Sequence, residues 1–267
     1  MIFVRDKGQM CNNILQYGHV YAWGREHGRA TISMRFAYKY QYFHICHTRH
    51  HNFPTYLYAK YGAKMGLFPV VCFDQEGADY QEAEQQMLRR NTLVVEGWYA
   101  RWYDLFLKYK QDIIGLFAFN KDIEQRVGTL LDDSLRLGIH IRRGDYRNFQ
   151  GGRFLYSDEQ YLNVIRSFLS LFPQQQVHLY ICGNDPHLDK EYYLQQLPAC
   201  QVTFPDGNPG EDLCLLSHCD YLIGAPSTFS LVAAMYRDLP LYWVEDPTLQ
   251  VSQDSFKHFD YLFRHIY

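Results

Sequence analysis

Residues 137–146, Leu-Gly-Ile-His-Ile-Arg-Arg-Gly-Asp-Tyr, run from an apolar segment straight into a charged turn. Leu137, Ile139 and Ile141 give the segment an alternating inward character, the mark of a buried strand. Arg142, Arg143, Gly144 and Asp145 end it, which puts two guanidinium groups at the strand's carboxyl tip. In open α/β sheets, ligands lie just beyond the carboxyl ends of the strands. Each arginine fork donates paired hydrogen bonds to an oxyanion, so two at such a tip can hold a phosphate. Two surface charges with Asp145 as a local ion-pair partner, above all of Arg143, account for the same residues.

The rest of the chain alternates strand and helix around this stretch. Apolar runs predict strands at 2–5, 31–36, 70–73 and 93–98, with helical periodicity over 10–28, 77–90, 101–115 and 120–136. After the arginine strand, a helix is expected from the Ser157 cap, whose capping box Gln160 completes, to about residue 172. Strands at 177–182, 201–204, 221–223 and 239–244 then alternate with helices near 187–197, 209–217, 231–236 and 254–267. This pattern is that of a doubly wound α/β fold. A chain of 267 residues exceeds the usual single-domain size, so two domains are expected, 1–135 and 136–267.

Composition narrows the function classes. Lysine and arginine total 26 against 29 acidic residues, for a net charge of −3, so no general basic surface for nucleic acid or membrane is expected. Aromatics reach 17%, with 23 tyrosines, a side chain suited to stacking on sugars or bases as well as to filling cores. The seven cysteines, Cys11, Cys46, Cys72, Cys182, Cys200, Cys214 and Cys219, are scattered and odd in number, which fits reduced thiols better than a disulfide framework. The apolar run at the N-terminus is too short for a signal peptide, and no segment approaches the ~18 apolar residues of a membrane span. A soluble, cytoplasmic protein without an integral membrane segment is expected.

Three further stretches carry candidate chemistry. The strand at 2–5, the turn around Gly8 and the following helix aim backbone N–H groups at whatever lies above the strand tip, and favour an anion. Asn12 and Asn13 open that helix, one of them expected as its cap. At 224–230, Gly-Ala-Pro-Ser-Thr-Phe-Ser places hydroxyls and N–H groups at the start of another helix. Facing two arginines on a neighbouring strand, those hydroxyls would complete a pyrophosphate clamp; an ordinary N-cap explains them equally. Asp212, at a helix start, can accept paired hydrogen bonds from guanine N1–H and N2–H₂, or simply stabilise the helix dipole. The histidine-rich run 43–51 puts His47 and His51 four residues apart, but no cysteine cluster or carboxylate set completes a tetrahedral site, and no metal is expected.

Taken together, these segments resemble the alpha-1,2-fucosyltransferase family, part of a wider set with the alpha-1,6- and protein O-fucosyltransferases. Gly-Ile-His-Ile-Arg-Arg-Gly-Asp-Tyr is similar to the family's His-x-Arg-Arg-Gly-Asp motif. Residues 8–17, Gly-Gln-Met-Cys-Asn-Asn-Ile-Leu-Gln-Tyr, are similar to its N-terminal Gly-Gly-Leu-Gly-Asn-Gln-Met-Phe-Gln-Tyr. Cys219-Asp220-Tyr221, then Ser227-Thr228-Phe229-Ser230 and Ala233-Ala234, are similar to its C-terminal Asn-Ser-Thr-Phe-Ser-Trp-Trp-Ala-Ala. The chain departs from the pattern at Gln9-Met10-Cys11, in place of Gly-Leu-Gly, and at Leu231-Val232, in place of Trp-Trp.

The resemblance implies a GT-B-like fold: two Rossmann-type domains with a cleft between them, the first on the acceptor side and the second binding a GDP-sugar. It implies inverting, metal-independent transfer of fucose from GDP-fucose to a hydroxyl of an oligosaccharide or lipid-linked glycan, galactose-ended in the alpha-1,2 family. Carried over by position, Arg142 contacts the diphosphate and is essential. His140 and Asp212 contact the guanosine part. Ser227, Thr228 and Phe229 grip phosphate and nucleoside. Gly8 and Asn12 face the donor from the first domain. Arg143 joins the donor-binding set as the second arginine of the clamp. Asp145 and Asp6 are the carboxylates available for acid–base work, and Asp145 is counted with Arg142 as catalytic. A transferase using another GDP-sugar such as GDP-mannose, or a non-catalytic GDP-sugar or glycan binder, would share these contacts. No cofactor beyond the donor substrate is implied.

Overall fold

The computed structural model describes residues 1–75 and 80–266. It divides into two compact units, Met1–Asn120 and Lys121–Tyr267. The division falls earlier than the expected boundary at residue 135. The reason is a short helix, α7 (Lys121–Gly128), whose inward residues Ile123 and Val127 pack it against the second unit. Arg126 on α7 bonds Glu211 of that unit at 2.5 Å.

In the first unit, β1 (Ile2–Arg5), β2 (Thr31–Ser33), β3 (Val70–Cys72) and β4 (Leu93–Glu96) form a parallel sheet in the order β2-β1-β4-β3. Its helices are α1 (Met10–Glu26), α2 (Phe36–Lys39), α3 (Phe53–Lys64), α4 (Tyr80–Arg89), α5 (Tyr103–Lys108) and α6 (Lys110–Leu116). Parallel neighbours require crossovers, and the helices supply them. One core cluster gathers Phe3 and Val94 of the central strands with Ile32, Met34, Ala59 and Phe68. The expected helix over 77–90 is α4; residues 77–79 lie outside the described residues. The helical pattern over 101–115 is two helices meeting at Tyr109, whose backbone (φ −104°, ψ 17°) leaves the helical region.

In the second unit, β5 (Leu135–Ile141), β6 (Val177–Gly183), β7 (Gln201–Thr203), β8 (Tyr221–Gly224) and β9 (Leu241–Trp243) form a parallel sheet in the order β7-β6-β5-β8-β9. With α7 go α8 (Asp158–Leu169), α9 (Lys190–Gln196), α10 (Pro209–Ser217), α11 (Thr228–Arg237) and α12 (Phe259–Arg264). The arginine strand is therefore central, covered on both faces as parallel strands are. Leu137, Ile139 and Ile141 join Tyr161, Leu162, Ile165 and Phe168 of α8 in one core. Gly138, on the other face, lies against Leu216 and Cys219, in and just after α10. The Ser157–Gln160 capping box forms as expected, and Asn208 with Glu211 makes a second box at the start of α10. The closing helix is shorter than the expected 254–267, a single 3₁₀ turn preceding α12, and Tyr267 is outside the described residues. Among the described residues, no helix is long and apolar enough to cross a membrane. No disulfide links the seven cysteines.

Candidate functional site

Period-two alternation decides where the two arginines go. Residues 138, 140 and 142 share one face of β5 and its extension, and 139, 141 and 143 share the other. Arg142 accordingly turns to the α11 side. Its Nη1 donates to Ser227 Oγ at 3.2 Å, and its Nε and Nη2 donate to the two carboxylate oxygens of Asp145 at 3.0 and 2.6 Å. The guanidinium carbon lies 4.9 Å from the centroid of the Tyr146 ring, whose hydroxyl donates to the Pro226 carbonyl. Arg142 is thus held on three sides at the carboxyl end of β5. The Arg142 bonds hold the Asp145 carboxyl below its usual range, which makes it a poor proton acceptor.

Arg143 does not join this group. Its Nε donates to the Tyr156 carbonyl at 2.9 Å, its Nη2 to Asp158 at 2.6 Å and its Nη1 to Asp185 at 3.3 Å. The expected clamp of two arginines facing the Ser227 turn is therefore corrected to one, and the expected structural pairing of Asp145 with Arg143 is a pairing with Arg142. Arg143 fastens the strand tip to the start of α8 instead. Its side chain is 14% exposed and its two carboxylate partners 25% and 17%. Removing one member of such a part-buried network strands the others. Arg143→Ala is expected to lower the unfolding free energy by about 2–4 kcal/mol. Urea unfolding of the wild type and the variant checks the loss.

Ser227 caps α11. Its Oγ accepts from the Phe229 N–H at 3.1 Å as well as from Arg142. Thr228 opens the helix beside it, half-buried. Ser230 turns inward: its hydroxyl donates to the Ser227 carbonyl and accepts from the Trp243 indole, both at 3.1 Å. The first turn thus offers Ser227, Thr228 and its backbone N–H groups at the positive end of a ten-residue helix.

A second cluster lies on the same face of the sheet. The His140 ring stacks on Phe229, centroids 4.8 Å apart and planes 23° apart. A Cβ at Gly224, the neighbour of His140 in register, would lie 2.8 Å from the His140 carbonyl oxygen, so glycine is what lets β8 approach here. Burial, and then the charge of Arg142, push His140 down to about 3, so the ring is neutral at ordinary pH. Its Nδ1 is buried and meets no hydrogen-bond partner. Across β6, Cys182 pairs in register with His140, and its thiol lies beside the Asp212 carboxyl. Burial, then neighbouring Glu211, push the Asp212 carboxyl up to about 6. Its Oδ1 is also buried without a partner. A neutral ring on an aromatic face and a nearby carboxylate oxygen with nothing to accept from suit a planar heterocycle bearing N–H groups.

Gly8 and Asn12 lie in the first unit, in the turn from β1 into α1. Gly8 has φ +95°, and a Cβ there would meet the Asn12 amide at 2.8 Å, so glycine is required. Neither Asn12 nor Asn13 is the cap. The cap is Gln9, with no side-chain bond, and the helix starts at Met10. Asn13, inside the helix, donates to the Gly8 carbonyl at 3.4 Å. Asp6, just past β1, is buried under Ser33 and Tyr40, which both donate to it, and burial raises it to about 7.

In the histidine-rich run, His51 is committed to the fold: its Nε2 accepts from the Ser33 N–H at 3.1 Å and its Nδ1 sits 2.8 Å from the Thr48 hydroxyl. Two other trios bring ligand-type atoms within 4.8 Å of one another, Glu124 with Cys214 and His218, and Cys72 with Asp74 and Glu96. In the second, Lys7 pairs Asp74 and Arg5 pairs Glu96.

Tyr146, Cys182 and Asn184 escaped the sequence reading. Asn184 Oδ1 accepts from the Arg143 and Gly144 N–H groups at 3.1 and 3.3 Å, fixing the arginine turn to the end of β6. Its signal was the Gly-Asn-Asp-Pro turn at 183–186. Tyr146 stood within the arginine stretch, while Cys182 carries no signal without the strand register.

No protein-family model and no curated protein matches the chain. Solved structures do match in fold. A mutant of Arabidopsis thaliana FUT1 in complex with GDP superposes with a TM-score of 0.63 at 13% identity, over 96% of this chain and 73% of that one. NodZ alpha-1,6-fucosyltransferase soaked with GDP-fucose gives 0.56 at 12%, over 92% and 97%. POFUT1 in complex with GDP-fucose gives 0.56 at 12%, over 89% and 94%. The chain is similar to these proteins in its fold, an α/β architecture of two parallel-sheet units, the GT-B-like class expected from its sequence.

Proposed function

We propose that this protein is a glycosyltransferase that moves fucose from GDP-fucose to a hydroxyl of an acceptor glycan. The observation that carries the reading is Arg142, held by Asp145 and bonded to the Ser227 cap of α11 at the carboxyl end of the central strand. As the fucosyl–oxygen bond breaks, negative charge collects on the β-phosphate and positive charge on the sugar. Arg142 and the first-turn N–H groups of α11 answer the charge on the leaving group, where fixed donors act most strongly in the transition state. In this reading, transfer inverts the anomeric centre and requires no metal. Asp145 aligns Arg142 rather than taking a proton, and a sugar with well-developed positive charge needs only weak base help. Asp212, His140 and Phe229 receive the guanine. The similar motifs point to an alpha-1,2 linkage and a galactose-ended acceptor. Cysteines without disulfides fit work in a reducing, cytoplasmic compartment.

The reading is tested by calorimetric titration with GDP, ADP and UDP, then by a screen of GDP-fucose and GDP-mannose against galactose-ended oligosaccharides, read by mass spectrometry. Preference for GDP and a product heavier by one deoxyhexose are expected. Equal affinity for the three diphosphates would remove the guanine site. Transfer of mannose alone would change the donor. GDP binding with no transfer to any acceptor would favour a binding protein on the same scaffold.

A further inference from the structure

Residues 27–73 contain no aspartate or glutamate, yet they include Arg29, Arg35, Lys39, Arg49, Lys60 and Lys64. Within this acid-free run, α3 breaks the usual rule for a surface helix. Its inward face is small, with Ala59 and Gly62 buried. Its outward face should be polar. Instead Phe53 is 66% exposed, Tyr61 53% and Met65 70%, and with Leu57 they follow one another at four-residue steps, a single stripe along the helix. The chain continues the stripe past the helix end with Leu67, 63% exposed, and Val70, 43% exposed on the edge strand β3. Lys60 and Lys64 flank it, both exposed. Helix α4 of the same unit shows the ordinary pattern, with Ala83 and Met87 inward and Glu82, Gln85 and Arg89 outward. Its one exposed apolar side chain, Leu88 at 53%, stands alone, whereas those of α3 and the segment after it form a continuous stripe.

An exposed apolar patch of this extent marks an interaction surface. The charge around it selects the partner. An acidic protein surface would leave a stripe of bulky aliphatic and aromatic side chains to find matching pockets. A lipid bilayer takes such side chains without shape matching, and anionic headgroups meet the lysines beside them. We infer that this face of the first unit seats on an anionic lipid bilayer, with Phe53, Tyr61, Met65 and Leu67 entering the headgroup–acyl boundary and Lys60 and Lys64 facing lipid phosphates. The inference is independent of the donor reading, since vesicle binding reports on one and GDP binding on the other.

The test is co-sedimentation of the whole chain with phosphatidylcholine vesicles, with and without phosphatidylglycerol, at low and high salt. Wild type is expected to bind the phosphatidylglycerol vesicles and to be released by salt. The exposed side chains can be changed without disturbing the core. Phe53→Ser, Met65→Ser and Leu67→Ser together should lower the partition coefficient on the order of 100-fold. Lys60→Glu with Lys64→Glu should lower it by about tenfold or more. Unchanged circular dichroism and thermal melting show that each variant is folded. The idea is overturned by wild type that stays in the supernatant, by binding that ignores phosphatidylglycerol and salt, or by binding that survives the triple change. A concentration-dependent dimer in light scattering, abolished by the same triple change, would overturn it in favour of a second copy of the chain.

Discussion

Arg142→Ala is expected to lower the rate of fucose transfer by about a hundred- to a thousandfold, the usual cost of removing one fixed donor to a developing oxyanion, while the protein stays folded. The two halves rest on different observations. The catalytic loss follows from position: this guanidinium is at the end of β5, bonded to the helix cap that meets the diphosphate in the proposed reading. The tolerance follows from exposure. Arg142 itself is 16% exposed, but its partner Asp145 is 56% exposed, so the carboxylate returns to water when the arginine goes and no charge is left buried. Arg142→Lys should recover little of the rate. A lysine ammonium is one compact charge and cannot donate a fork to Asp145 while also reaching Ser227. Steady-state transfer with saturating GDP-fucose, read beside a thermal melt, checks the prediction. An alanine variant with near-wild-type turnover would remove Arg142 from the chemistry, and a variant that melts early would make it a structural residue like Arg143.

The contrast between the two arginines shows what the sequence could and could not say. The strand, its burial and its charged tip were legible, because an alternating apolar run ending in Arg-Arg-Gly-Asp has few other readings. The same alternation also sends residues 142 and 143 to opposite faces, and it was legible too, but chemistry favouring a paired clamp overrode it. What was not legible depends on register. His140 meets Phe229, and Cys182 meets Asp212, only because β5 is flanked by β6 and β8 in one alignment. The caps divide in the same way. Ser157–Gln160 is a local code, complete within four residues, and the capping box forms. Asn12 and Asn13 look like caps, but the helix starts earlier, at Met10 behind Gln9, so they fall inside it. The boundary at residue 120 escaped because α7 carries a helical period that either unit could have covered. Only its packing on α10 assigns it.

Asp212 gives the second large effect. If its carboxylate takes the N1–H and N2–H₂ of guanine, Asp212→Asn keeps the size but loses the paired acceptor, and GDP affinity should fall by about ten- to a hundredfold, the value of hydrogen bonds to a charged group. The loss should be specific. Inosine diphosphate lacks the 2-amino group, so wild type should bind it more weakly than GDP, while the variant should bind the two nearly alike. Acid provides an independent check, and its sign is fixed. Burial raises this carboxyl to about 6, so it is ionised above that pH and protonated below it. A protonated carboxyl cannot accept both bonds, and GDP affinity should fall by about tenfold for each pH unit below 6. His140 does not confuse the profile, since it is held to about 3 and stays neutral throughout. The β-phosphate of GDP titrates in the same range, but equally for both proteins. The measured quantity is therefore the ratio of wild-type to Asp212→Asn affinity between about pH 7.5 and 5, roughly the range where a carboxyl shifted this far changes charge. That ratio should shrink as pH falls. Parallel profiles, or a variant that still separates GDP from inosine diphosphate, would mean that guanine is read elsewhere and that the orphaned Oδ1 has another partner.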